Sequence, residues 1–155
     1  MKKIIAAFIV IGTIFSCTQP SSEKTLSLTA KSPVDTLIRG WENNWNRHDS
    51  AAVRNMFATD AILIDDNLVL NGADELSEKW IHTNIAVVKN LNSTKLQEWS
   101  SDDRAGYIGK YELDVVIKDS VVAKPKGVYS VNWTKTGNGD WNITAAHIHS
   151  FSDKK

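Results

Sequence analysis

The chain has 155 residues, with 18 basic and 18 acidic side chains and a formal net charge of zero. That length holds one domain with a buried core plus a terminal extra, and the balanced charge argues against nucleic acid or an anionic surface as partner. Six tryptophans and a single cysteine point to a wide aromatic interior with no internal disulfide.

Lys2 and Lys3 precede an apolar run from Ile4 to Phe15 that ends in Ser16-Cys17. A charged start and an apolar stretch of roughly 7–15 residues describe a signal peptide, too short to persist as a spanning helix. Residues 1–16 are therefore expected to be cleaved. Residues 17–33 then form Cys17 and a Ser/Thr/Lys-rich tether that holds Pro20 and Pro33. Ile14-Phe15-Ser16-Cys17 resembles the bacterial lipobox, in which a small residue precedes the cysteine that becomes lipidated; Phe15 departs from the usual pattern. The alternative is an ordinary secretory signal with an incidental cysteine. On the lipobox reading the protein crosses the inner membrane and is lipid-anchored in the cell envelope, touching the membrane through the lipid alone. Losing Lys2 and Lys3 leaves 16 basic against 18 acidic side chains.

Val34, Leu37, Ile38, Trp41 and Trp45 lie on one stripe of an amphipathic helix entered at Ser32-Pro33 and ending near Asn46–His48. Asp49 or Ser50 then caps a short helix that buries Val53, Met56 and Phe57. After a Thr59-Asp60-Ala61 turn, Ala61–Ile64 reads as a strand, Asp65-Asp66-Asn67 as a turn and Leu68–Leu70 as its partner. A third helix is predicted from Ala73 to about Lys89, with Leu76, Trp80, Val87 and Leu91 near one face and Asn90–Ser93 as its stop. The remainder reads as strand. Thr94–Ser101 alternates, and Tyr107, Gly109, Tyr111, Leu113, Val115 and Ile117 form an inward set opposite charged Lys110, Glu112, Asp114 and Lys118. Gly127–Lys135 repeats the pattern through Tyr129, Val131 and Trp133, and Gly137-Asn138-Gly139 makes a hairpin. Trp141, Ile143, Ala145, His147, His149 and Phe151 then share a face of the last strand unless a bulge intervenes. Three helices followed by a long curling antiparallel sheet make an α+β fold with helices packed on one face.

The order of these elements resembles the NTF2-like superfamily, specifically its SnoaL-like and DUF4440-type members. The resemblance rests on Trp45-Asn46-Arg47-His48-Asp49, on Met56-Phe57-Ala58-Thr59-Asp60-Ala61 and on Asn71-Gly72. It continues in Gly127-Val128-Tyr129 and in Gly139-Asp140-Trp141-Asn142-Ile143. It spans about residues 34–151, within a domain assigned to 34–152. It implies a cone-shaped barrel with a pocket between helices and concave sheet, and frequently a homodimer formed through the sheet.

In the ketosteroid-isomerase branch of that superfamily, an aspartate just after the first strand is a general base, and the resemblance brings Asp65 onto that position. A carboxylate there moves a proton if apolar surroundings raise its pKa toward neutrality. The competing reading of Asp65-Asp66-Asn67 is hairpin-turn chemistry alone. The isomerase's helix-borne tyrosine falls on Trp41, which donates but cannot shuttle a proton. Its late-strand acid falls near Ser130–Val131, where no carboxyl stands. Steroid isomerisation is therefore not expected, because the paired oxyanion donors are missing. His147 and His149, at i and i+2, form a second constellation, read as acid–base groups for Asp65 or, with it, as metal ligands. By spacing no third strong ligand appears, so no metal and no cofactor are assigned. Trp41, Trp45, Trp80, Tyr107, Tyr111, Tyr129 and Trp133 are the candidate aromatic lining for a small apolar or aromatic ligand.

Three functions follow. The first is an envelope lipoprotein that binds a small, largely apolar molecule. The second is a cofactor-independent lyase or isomerase using Asp65 with His147 or His149. The third is a protein-interaction or dimerisation module. Missing oxyanion donors favour the first over the second, and fold membership does not decide among them.

Overall fold

The computed structural model describes residues 32–152. The expected signal peptide, Cys17 and nearly all of the tether lie outside the described residues. Helix α1 (Val34–Asn46) buries Val34, Ile38, Trp41 and Trp45 along the predicted stripe, while Leu37 sits half-buried at its edge. The Pro33 carbonyl accepts from the amides of Thr36 and Leu37, each at 3.0 Å, which closes the first turn. Asp49 caps α2 (Ser50–Asn55) by accepting the Ala52 amide at 2.9 Å.

Strand β1 (Phe57–Asp65) begins four residues earlier than the alternation suggested, because Thr59-Asp60 is an irregularity within the strand and not a turn before it. The hairpin to β2 (Leu68–Asn71) pairs Asp65 with Leu68, so the turn is only Asp66-Asn67, and Asp66 takes a positive φ of 49°. An Asp at that position tolerates the left-handed backbone. Asp65 is thus the last residue of a strand.

The third helix is shorter than predicted. It comprises α3 (Ala73–Leu76), a π-helical turn (Ser77–Ile81) and a last turn, α4 (His82–Asn84). Thr83 Oγ1 and Asn84 Nδ2 both bond the Trp80 carbonyl, occupying an acceptor at the helix end. The β-branched pair Val87-Val88 then enters β3 (Val88–Ser100), so Leu91 is buried from a strand and not from a helix. Asn90, with φ of 54°, sits where the pairing of β3 shifts between Lys89 and Asn92.

Strand β4 (Arg104–Ile117) is the long half-wet strand expected. Tyr107, Gly109 and Tyr111 face inward and Lys110 and Glu112 outward, although Ile117 at its end is exposed. Strand β5 (Ser120–Ala123) folds back on the end of β4, β6 (Lys126–Lys135) buries Gly127, Tyr129, Val131 and Trp133, and β7 (Trp141–Ser150) closes the sheet. The strand order is β2-β1-β7-β6-β4-β3. Every pairing is antiparallel except β1 with β7, which run parallel and are joined by the long crossover of all the chain between them. The concave face of this curled sheet packs on the helices, giving the α+β cone.

A bulge in β7 overturns one expectation. Asn132 pairs with Ala145 but Trp133 pairs with Ile143, so Thr144 is an extra residue. Inward positions therefore switch from Ile143 to Ala146, Ile148 and Ser150, and His147 and His149 are exposed on the opposite face.

Candidate functional site

A cavity of about 200 Å³ opens between the helices and the concave sheet. From α1 it receives Trp41 and Trp45, from the π-helical turn Trp80, from the end of β1 Asp65, and from the sheet Tyr111 and Tyr129. The three indoles pack as one unit. Trp41 and Trp80 lie nearly parallel, with centroids 6.2 Å apart, and Trp45 stands edge-on to both, at 5.7 and 5.0 Å. The remaining wall is largely apolar, with Val88 and Leu91 from β3, Leu113 and Val115 from β4, Pro125, and Ile148 from β7; Asn84 and Ser150 add polar side chains.

Among the described residues Asp65 is the one carboxyl in that wall. Its Oδ2 accepts the indole N–H of Trp80 at 2.7 Å. Burial pushes its pKa above the ordinary 3.8; the Trp80 bond opposes this by favouring the ionised form, and the nearby Asp66 charge adds to the rise. Across the cavity Tyr111 Oη and Ser150 Oγ share a hydrogen bond of 2.9 Å, and burial raises the phenol as well. Burial strongly raises Tyr129 too. Among the described residues, no Lys, Arg or His lines the cavity.

The neighbouring Asp66 behaves oppositely. It is exposed, accepts the Ser150 amide at 3.0 Å and meets His149 Nδ1 at 2.9 Å, and that backbone bond leads the causes holding its carboxyl below 3.8. The two adjacent aspartates thus split in role: one enters the cavity and the other pins the hairpin to the end of β7.

The structure brings together Asp65, Trp41, Trp45, Trp80, Tyr111 and Tyr129, six of the sequence candidates. It separates the others. The expected pairing of Asp65 with His147 or His149 is corrected: register sets Asp65 beside Ile148, and the imidazoles point away. Tyr107 and Trp133 are corrected too, being buried core residues outside the cavity wall, with Tyr107 packed on Tyr129 at 5.5 Å. Among the described residues, no group of three or more His, Cys, Asp or Glu side chains is gathered for a metal. Sequence reasoning missed Val88, Ile148 and Ser150 as lining. The helical period that runs through Val88 hides its place in β3, and an unbroken alternation without the Thr144 bulge puts Ile148 and Ser150 on the opposite face of β7.

No family model matches the chain, and no curated protein matches it. Solved structures do. A ketosteroid isomerase-like protein from Erwinia carotovora atroseptica is 18% identical, with a TM-score of 0.66 over 77% of this chain and 95% of that one. An NTF2-like superfamily protein from Salmonella enterica is 14% identical, with a TM-score of 0.65 over 79% and 91%. A conserved protein from Planctomyces limnophilus is 12% identical, with a TM-score of 0.64 over 76% and 93%. At such identities the likeness shows the fold: this is an NTF2-like cone, with aromatic residues clustered around a cavity of a size suited to a small apolar molecule.

Proposed function

We propose that the protein is a cell-envelope lipoprotein whose NTF2-like domain, of the SnoaL-like or DUF4440 type, binds a small and largely apolar ligand in the aromatic cavity. The observation that carries this reading is the cavity wall: five aromatic residues and five aliphatic ones around one carboxylate. A wall of this composition gains free energy by burying apolar surface and keeps a few polar groups, Asp65, Asn84, Ser150 and the Tyr111 hydroxyl, to orient the ligand. Cys17 and the apolar leader supply the anchor in this proposal. The convex sheet face, where Trp99 covers Gly106 beside exposed Ile108, supplies the surface for a homodimer.

The test is native mass spectrometry of the full-length protein purified from its own membrane fraction, compared with Leu113→Trp, which fills the cavity from β4. A noncovalent small molecule on the wild type that is lost from Leu113→Trp is the expected result. Equal retention by both proteins contradicts cavity binding.

A second reading, a cofactor-independent lyase or isomerase, is favoured by the desolvation that raises Asp65. In that reading Asp65 alone moves the proton, since neither His147 nor His149 faces it, and the hydroxyls of Tyr111, Tyr129 and Ser150 share the cavity wall. Turnover of a bound ligand that stops in Asp65→Asn while binding persists distinguishes it from a pure binder.

A further inference from the structure

The chemistry of the cavity narrows the ligand class. Aromatic residues from three separate places in the chain, α1, the π-helical turn and the sheet, surround a half-buried carboxyl. Among the described residues only one of its oxygens has a partner, the Trp80 indole. Burial works against the ionised carboxyl and the indole N–H only partly offsets it, so a negative charge on Asp65 is left partly uncompensated inside an apolar wall. Among the described residues no cationic side chain lines the cavity to balance that charge. The nearby His149 is engaged with Asp66 on the exposed side. A buried charge left without a counterion is costly, and a ligand that carries the counterion removes that cost on binding.

Resting on the cavity-binding reading above, we propose that the ligand is a small organic ammonium ion, its cationic nitrogen against the free Asp65 oxygen and its apolar body among Trp41, Trp45 and Trp80. Indole rings attract cations through the ring quadrupole and most strongly where water is excluded. The aliphatic wall of Val88, Leu91, Leu113 and Val115 takes the apolar remainder. Size agrees: an apolar cavity of about 150 Å³ takes benzene, so about 200 Å³ takes a single ring with a short substituent. Anions are disfavoured at the same spot by Asp65 itself, with Asp66 next to it in sequence adding to the negative field.

The experiment compares three probes on the full chain by calorimetry and tryptophan fluorescence: benzyltrimethylammonium, its uncharged carbon isostere neopentylbenzene, and benzoate. The wild type is expected to bind the cation roughly tenfold or more tightly than the isostere and to show no measurable binding of benzoate. In Asp65→Asn, near in shape but uncharged, the advantage of the cation over the isostere should collapse to less than about threefold. Equal or tighter binding of the isostere by the wild type overturns the ammonium assignment and leaves the apolar cavity reading standing. Failure of both the cation and the isostere to bind overturns both readings. The comparison among probes on the wild type decides even if Asp65→Asn fails to fold.

Discussion

Asp65 and Trp80 act as a pair, each limiting what the other can do. The indole N–H partly offsets the desolvation of the carboxylate, and the carboxylate gives a buried indole its hydrogen-bond acceptor. Trp80→Phe keeps an aromatic ring but removes the N–H donor and part of the buried indole volume. It should lower stability by about 2–4 kcal/mol, the lost bond to a charged acceptor plus the space left by the smaller ring. The same substitution should move the Asp65 titration further upward, observable by carboxyl NMR; an unchanged midpoint contradicts the pairing. The pH dependence has a definite sign. Because folding raises this pKa above 3.8, the folded state holds the proton more tightly than the unfolded one. The Asp65 contribution therefore falls as pH rises from the unfolded value through the folded one. Denaturant melts of wild type against Asp65→Asn should show that loss only in the wild type. A loss of the same size in both proteins would assign it to another group.

At the scale of elements, two devices aim the site: the π-helical turn that carries Trp80 and the Thr144 bulge that turns Ile148 and Ser150 inward. π-turns inside helices recur at functional sites. The periodic signals were legible in the sequence. The stripe of α1, the Asp49 cap and the charged outer face of β4 all follow from side-chain spacing. The bulge was not, because Thr144-Ala145-Ala146 offers small residues that suit either face, so a one-residue slip leaves no mark on the pattern. The end of the third helix was hidden for a similar reason: Ile85, Val88 and Leu91 also fit a helical period, and only the β-branched Val87-Val88 pair hinted at a strand. Asp65 and five of the seven aromatic residues lie on the cavity wall because the hairpin, the helical spacing and the strand alternation fix their faces. Tyr107 and Trp133 were overcounted because sharing an inward face does not distinguish a cavity wall from filled core. Gly127 tests the packing at the end of β7. A Cβ there would lie 2.0 Å from the His149 carbonyl oxygen and 2.8 Å from the Tyr111 ring. Gly127→Ala should cost about 1–3 kcal/mol and loosen the Tyr111–Ser150 contact, read from chemical denaturation; a change under about 0.5 kcal/mol would show that the strands relax freely.

For the whole molecule, the proposal joins a cone with a ligand cavity to an N-terminal anchor. Cys17→Ala should move the protein from the membrane fraction to the soluble periplasmic fraction without changing the melting temperature of the domain. Persistence in the membrane fraction would contradict lipid anchoring at that residue. The central claim is that the aromatic cavity is where ligand binds, and the six tryptophans report on it separately. In a ¹H–¹⁵N spectrum of the domain titrated with benzyltrimethylammonium and neopentylbenzene, the indole signals of Trp41, Trp45 and Trp80 should shift together and saturate with one binding curve. Those of Trp99, Trp133 and Trp141, which lie outside the cavity wall, should stay in place. Saturable shifts confined to Trp99 or Trp141, or no shift at Trp80 with either probe, would contradict the account.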